Sequence, residues 1–377
     1  VQFKDVIGQE ETKTRLLRSF HDGRLAHAIM LLGPEGSGNL ALALAFAQYI
    51  SCPNKTETDS CGACPSCRKH STLQHPDVHF SFPYFNKPKG EGGGDKTNSG
   101  HYGKEWRETL LASPYMDLDH WRAVITKENK VLQLGVAEAE HIVKRISLRS
   151  HDGGYKFLIL WLPEYLSTDT ANKLLKTLEE PPDHTVFLLV ASNVERMLST
   201  ILSRVQTLVV PKLTDADIKS ELMNQGVADQ AASGITHYVD GNWWRASLLA
   251  NSNDPNMFFS TQFIEWMRMC WKKDIAEIVK WADQMHGLMR EDQKEFLMYA
   301  LDQVRQNLVL NYAGHELARM NEQEAAFSSK FSVFINERNA ESLMELITDA
   351  FYDINQNCYS KLVLTDLSFK VHYQLRS

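Results

Sequence analysis

Hydrophobic and polar positions fall into blocks whose character changes once along the chain. Residues 24–32 (Arg-Leu-Ala-His-Ala-Ile-Met-Leu-Leu) end in an apolar run that reads as a short buried strand, and Gly33 to Gly38 follow at once as a loop. A helix is predicted from Asn39, because Leu40 to Ile50 is rich in Ala and Leu and free of Gly and Pro. Further on, Val136 to Ile146 has helical spacing and Phe157 to Leu162 is a continuous apolar strand. Ala171 to Leu178 is a helix stopped by Pro181-Pro182, and Val186 to Val190 is another strand. Strands alternating with helices imply a parallel sheet covered on both faces.

From about Thr214 the strand signals stop and the pattern becomes helical, with Met, Trp and Phe at core-like spacing. The expectation is α/β followed by all-α: a sheet domain over 1–212, a small helical unit over 213–253 and a larger helical domain over 254–377, the second boundary resting on the Asn/Asp/Pro cluster at Asn251 to Asn256. Between Phe85 and Lys104 the chain is rich in Gly, Lys, Asp and Asn, so a mobile surface insertion is expected at about 86–104.

Composition narrows the class. A chain of 377 residues with 43% hydrophobic content can bury two or three cores. No run of eighteen apolar residues occurs, and Val1 to Glu10 mixes Lys and Asp with apolar residues unlike a signal peptide; a soluble, cytoplasmic chain without membrane contact is expected. The net charge of -7 gives no long-range pull toward phosphates and weighs against a stand-alone nucleic-acid binder.

Two motifs carry chemistry. A working phosphate loop reads G-x-x-x-x-G-K-[ST], with the Lys on the terminal phosphates and the hydroxyl on magnesium. Here Gly33, Gly36 and Gly38 keep the loop, while Asn39 replaces the cation and Leu40 the magnesium ligand. At the end of the later strand, where a magnesium-binding Asp and a water-activating Glu would stand, are Trp161 and Leu162. Glu164 and Asp169 lie nearby and read as surface or capping carboxylates. No ATP is expected on this chain.

The second motif is Cys52, then Cys61-Gly-Ala-Cys64-Pro-Ser-Cys67, a C-x8-C-x2-C-x2-C arrangement inside a 52–67 module. Four thiolates complete a tetrahedral shell and leave no open position, so a structural zinc is expected, although an iron-sulfur cluster also uses four thiolates. Cys270 and Cys358 stand alone in helical surroundings and read as core.

Phe3-Lys4-Asp5-Val6-Ile7-Gly8-Gln9, the degenerate loop, the cysteine module, Ala171 to Pro182 and Ser203-Arg204 together resemble the bacterial DNA polymerase III clamp-loader AAA+ family, over roughly Gln2 to Leu249. The missing Lys and acids resemble its delta-prime branch rather than the gamma/tau motor. The resemblance implies a P-loop AAA+ domain with a zinc module, a helical lid and a C-terminal collar. It also implies a hetero-pentamer with gamma/tau and delta subunits that reaches the sliding clamp and primer-template DNA. Arg204 matches the arginine finger that enters a neighbour's ATP site, with Val205 departing from the motif's Cys; Asn193 and Arg245 fall near the two sensor positions. Two other readings compete: an active gamma/tau-type ATPase, and a zinc-module nucleic-acid-binding protein on a P-loop-like scaffold.

Overall fold

A computed structural model describes residues 1–86, 97–126, 131–151, 153–251, 255–288, 290–313, 320 and 322–376. The chain divides into two compact units, Val1–Leu248 and Leu249–Ser377.

The first unit is built on a parallel sheet of β1 (Ala28–Leu32), β2 (Val78–Ser81), β3 (Lys156–Trp161), β4 (Thr185–Ala191) and β5 (Gln206–Val209), in the order β2-β3-β4-β1-β5. β3 and β4 are buried throughout and β1 almost so, which is why their sequences are unbroken apolar runs. Helices in this unit are α1 (Glu10–His21), α2 (Asn39–Ser51), α3 (Pro65–Ser71), α4 (Gly103–Ala112), α5 (Leu118–Ile125), α6 (Val136–Ser147), α7 (Thr168–Glu179) and α8 (Ser199–Leu202). α2 is buried from Asn39 to Ile50. It therefore carries no polar face, and its Ala-rich sequence lets it lie close against the sheet. Registers Leu32↔Ala191 and Trp161↔Val190 bring the C-terminal ends of β1, β3 and β4 level. At that edge open α/β sheets place their ligand crevice.

α9 (Asp215–Asn224), α10 (Asp229–Val239) and the start of α11 (Trp243–Asn251) were expected as a separate small unit, yet they group with the sheet. The Trp243 N–H donates to the Gly36 carbonyl at 3.0 Å, and the Tyr115 and Trp243 rings meet edge-on.

The expected mobile insertion is corrected over its second half. Residues 87–96 lie outside the described residues, but Thr97, Ser99 and Tyr102 are buried and Ser99–Tyr102 forms a 3-10 turn leading into α4. The buried Glu138 carboxylate accepts from the Ser99 N–H and hydroxyl, both at 2.7 Å, and from the Ser81 hydroxyl at 2.6 Å. The Tyr102 hydroxyl donates to the Phe85 carbonyl at 2.8 Å. A few directed hydrogen bonds hold a segment whose composition alone offered little burial.

The second unit is helical: α12 (Pro255–Lys272), α13 (Ile275–His286), α14 (Arg290–Ala313), α15 (Glu322–Phe331), α16 (Ala340–Asn355) and α17 (Ser360–Gln374). Its core centres on Trp266, stacked on Trp281 at 5.3 Å and packed against Phe263 and Phe296. The Trp266 indole N–H donates to Ser368 Oγ at 2.8 Å, satisfying the one polar atom of that ring. Cys270 is buried as expected, whereas Cys358 is exposed, because it follows the end of α16 rather than lying inside a helix.

Candidate functional site

The glycine loop between β1 and α2 is closed by protein side chains, one from its own end and others from distant parts of the chain. Asn39, 7% exposed, donates from Nδ2 to the Gly33 carbonyl at 2.7 Å and accepts the Ser37 hydroxyl at 2.5 Å. Gln9 donates from Nε2 to the Ser37 and Pro211 carbonyls at 3.0 and 2.7 Å. Gly36 sits at φ +75°, and a Cβ there would lie 2.0 Å from Asn242 Oδ1. Only glycine fits, although what presses on this face is protein.

The cavity left beside the loop measures about 20 Å³, lined by Leu40, Tyr115, Trp161 and Leu162 among others. That is space for roughly one water, against the several hundred Å³ of an ordinary small-molecule site. Trp161 and Leu162 are 3% and 2% exposed and fill the place where magnesium-binding carboxylates would stand. Among the described residues, no Lys or Arg lines that cavity, and its one carboxyl, Glu35, offers a polyphosphate no counter-charge. Burial, with Asp117, Asp119 and Glu164 nearby, pushes the Glu35 carboxyl up to about 8, and burial raises Asp117 as well.

Glu164 has structural work. Its Oε1 accepts from the Ser192 N–H at 2.9 Å, the Ser192 hydroxyl at 2.7 Å and the Asn193 N–H at 3.0 Å, fixing the chain as it leaves β4. Asn193 accepts the Glu195 N–H at 2.9 Å and caps the short turn that follows. Asp169 lies in the first turn of α7. Arg245 lies in the first turn of α11, its N–H bonded to Asn242 Oδ1 at 3.1 Å, and its charge only partly offsets the burial that raises Asp117.

Arg204 follows α8 and sits at a different surface. Its guanidinium pairs with Glu179, the last residue of α7, and Nη1 donates to the Thr200 carbonyl at 2.7 Å. The side chain is 30% exposed. It lines an open hollow of about 510 Å³ with His27, Leu178, Glu179 and Gln206. A partly exposed ion pair of this kind is weak enough to exchange partners.

The four cysteines converge. Their Sγ atoms all lie within 4.8 Å of one another, with Cys52 to Cys64 and Cys61 to Cys67 each at 3.9 Å. Four thiolates around one zinc stand about 3.8 Å apart, so the group could hold a metal. Cys52 ends α2 and Cys64 caps α3, accepting the Cys67 N–H. Backbone N–H groups of Ala63 and Cys64 depress the Cys61 thiol to about 6, while burial raises Cys52 and Cys67. The opening segment pins the module, since the Phe3 and Lys4 N–H groups both donate to the Asp59 carboxylate at 3.0 Å.

Comparison with known proteins decides the family. A family model described as "DNA polymerase III, delta subunit" matches residues 8–214, more than half of the chain. The chain belongs to that family. Among its relatives, the DNA polymerase III subunit delta' of Yersinia pestis is 28% identical over 204 residues, 54% of this chain and 44% of that protein. The delta' subunit of Escherichia coli is 27% identical over 192 residues, 50% and 44%. The tau/gamma subunit of Haemophilus influenzae is 24% identical over 220 residues, 58% and 25%. The chain thus spans less than half the length of these three relatives. A DNA polymerase III gamma subunit-related protein of Thermotoga maritima aligns over 98% of this chain and 100% of that one, at 15% identity and a TM-score of 0.42. This polymerase family includes both delta-prime and tau/gamma relatives, and sequence identity alone separates them poorly. Among the described residues, no helix is long and apolar enough to cross a membrane.

Proposed function

We propose that this member of the DNA polymerase III delta family is the non-hydrolysing, delta-prime-like subunit of a clamp loader. The closed glycine loop carries the reading: Asn39 and Gln9 bind its carbonyls, Asn242 crowds Gly36, and the cavity left beside it measures about 20 Å³, which supports an AAA+ module that no longer takes ATP. The active gamma/tau reading requires a cation, a hydroxyl and carboxylates where Asn39, Leu40, Trp161 and Leu162 stand.

The chain's catalytic contribution is then made to a neighbour. Arg204, partly exposed and held by an exchangeable pair with Glu179, is suited to swing onto the phosphates of an adjoining gamma/tau subunit. A guanidinium there offsets charge that develops as the phosphoryl group transfers. Zinc is the metal that the four-thiolate set fits best, and its part is structural: it ties the end of α2 to α3. The helical second unit is assigned as the collar of a hetero-pentamer with gamma/tau and delta subunits, and α9 to α11 as the lid. The sliding clamp and primer-template DNA are reached through that cytoplasmic complex.

Two measurements test this. Calorimetric titration with magnesium-ATP at millimolar nucleotide should show no binding, and clear magnesium-dependent binding would restore the motor reading. In a reconstituted loader, Arg204→Ala should leave assembly intact and abolish the DNA-stimulated turnover of the one adjoining site, about 10³-fold or more. An unchanged total rate removes the finger.

A further inference from the structure

A second cavity, of about 270 Å³, lies on the opposite side of the sheet's order from β5, at the edge strand β2, between the Ser99–Tyr102 turn, α4 and α6. Its wall is apolar and aromatic: Phe80, Phe82, Trp106, Ile142 and Leu158. Phe82 and Trp106 stack at 4.0 Å with 12° between planes, which makes that wall flat and rigid. The Trp106 indole N–H is buried and donates to no described residue.

The polar part of the lining is cationic or neutral. Arg107, Arg145, His79 and His141 line the cavity, and none of them makes a hydrogen bond or ion pair among the described residues. The two neighbouring carboxylates are engaged elsewhere. Glu138 takes Ser81 and Ser99, and Asp77 takes the Ser150 hydroxyl and the His151 N–H at 3.0 and 2.8 Å. Burial and the charge of Arg145 push the His79 imidazole down to about 4 and lower His141 in the same way, so at neutral pH each ring keeps one N–H to donate. Guanidinium forks pair best with carboxylate or phosphate.

We propose that this cavity binds an organic phosphate with a planar body, the class that a nucleoside monophosphate represents. The phosphate sits on Arg107 and Arg145, and the planar body lies against Phe80, the partly exposed ring of that wall, with the buried Phe82 and Trp106 pair as its rigid backing. Inorganic phosphate would leave that wall bare, and an uncharged planar molecule would leave the guanidiniums unpaired. The site is remote in sequence from the glycine loop and does not depend on the function proposed above.

The test titrates the full chain with adenosine 5′-monophosphate, adenosine and inorganic phosphate, followed by calorimetry and by the quenching of tryptophan fluorescence. The same titrations are run on Arg107→Gln and Arg145→Gln, with a thermal melt to establish that each is folded. Arg145 is exposed, so its replacement leaves the core untouched. Saturable binding of the monophosphate is expected. It should weaken roughly tenfold or more in each variant, as expected on losing a charge-assisted hydrogen bond, and adenosine and phosphate alone should each bind at least about tenfold less tightly. Absence of saturation, equal binding of inorganic phosphate, or binding indifferent to both substitutions would each overturn the proposal, the last by placing the ligand elsewhere.

Discussion

Asn39 stands where a phosphate-binding lysine would stand, and replacing it separates a sealed loop from a dormant one. Its side chain is buried, donates to Gly33 and accepts from Ser37. Asn39→Ala leaves the Gly33 carbonyl and the Ser37 hydroxyl without those partners, and each unmet buried group costs about 1–3 kcal/mol. Ser37 can turn its hydroxyl wholly to the Pro34 carbonyl, 2.6 Å away, so the net loss should fall near ~2 kcal/mol. For a unit of this size, that lowers the melting midpoint by roughly 4–8 °C. Asn39→Lys should lose a similar amount and gain no nucleotide, because the added ammonium meets Leu40, Tyr115, Trp161 and Leu162 rather than an open phosphate site. Scanning calorimetry of both variants, with and without magnesium-ATP, reads all of this at once. A wild-type midpoint for Asn39→Ala, or an ATP-dependent rise for Asn39→Lys, would refute the seal.

Three other outcomes follow from the same geometry. Stripping metal with a strong thiol-competing chelator, or replacing Cys64 by Ser, should loosen the 52–67 module and lower the melting midpoint, with about one zinc per chain lost by elemental analysis; intact stability without metal would remove the structural role. Glu35 has a folded pKa of about 8 against an unfolded value of 4.5. Its favourable contribution is complete below the unfolded value and is lost as pH rises through about 8, so Glu35→Gln should flatten the fall in stability over that window. Denaturant midpoints at several pH values would detect this, and parallel wild-type and variant curves would contradict it. Glu138→Ala should cost about 2–4 kcal/mol by stranding Ser81 and the Ser99 N–H, and should expose the 97–104 stretch to protease; unchanged cleavage would show that the segment is held otherwise.

The parts of this fold that could be read in the sequence were those whose signal is local. The buried strands β1, β3 and β4 are apolar because both of their faces are covered, and the four clustered cysteines lie within one short module. β2 and β5 escaped notice for the opposite reason. β2 is a four-residue edge strand, Val-His-Phe-Ser, and β5 reads Gln-Thr-Leu-Val with largely exposed side chains, so neither carries a period that decides between strand and loop. Asn39 and Leu40 were legible as lesions, but the seal was not, since Gln9, Pro211 and Asn242 come to the loop from distant parts of the chain. The 97–104 stretch was misjudged because its anchor, Glu138, sits on a helix that reads as an ordinary amphipathic one.

Proteins that hold a nucleotide are stabilised in proportion to the logarithm of its free concentration, so their rigidity follows the energy state of the cell. In this chain the contacts a ligand would supply are made by Asn39, Gln9 and Asn242, tethered to the same backbone and therefore always present. On the function proposed above, the loop's order would be decoupled from the ratio of ATP to ADP. On that same function, this unit would offer cycling neighbours a fixed surface, as a reference against which their movement is registered.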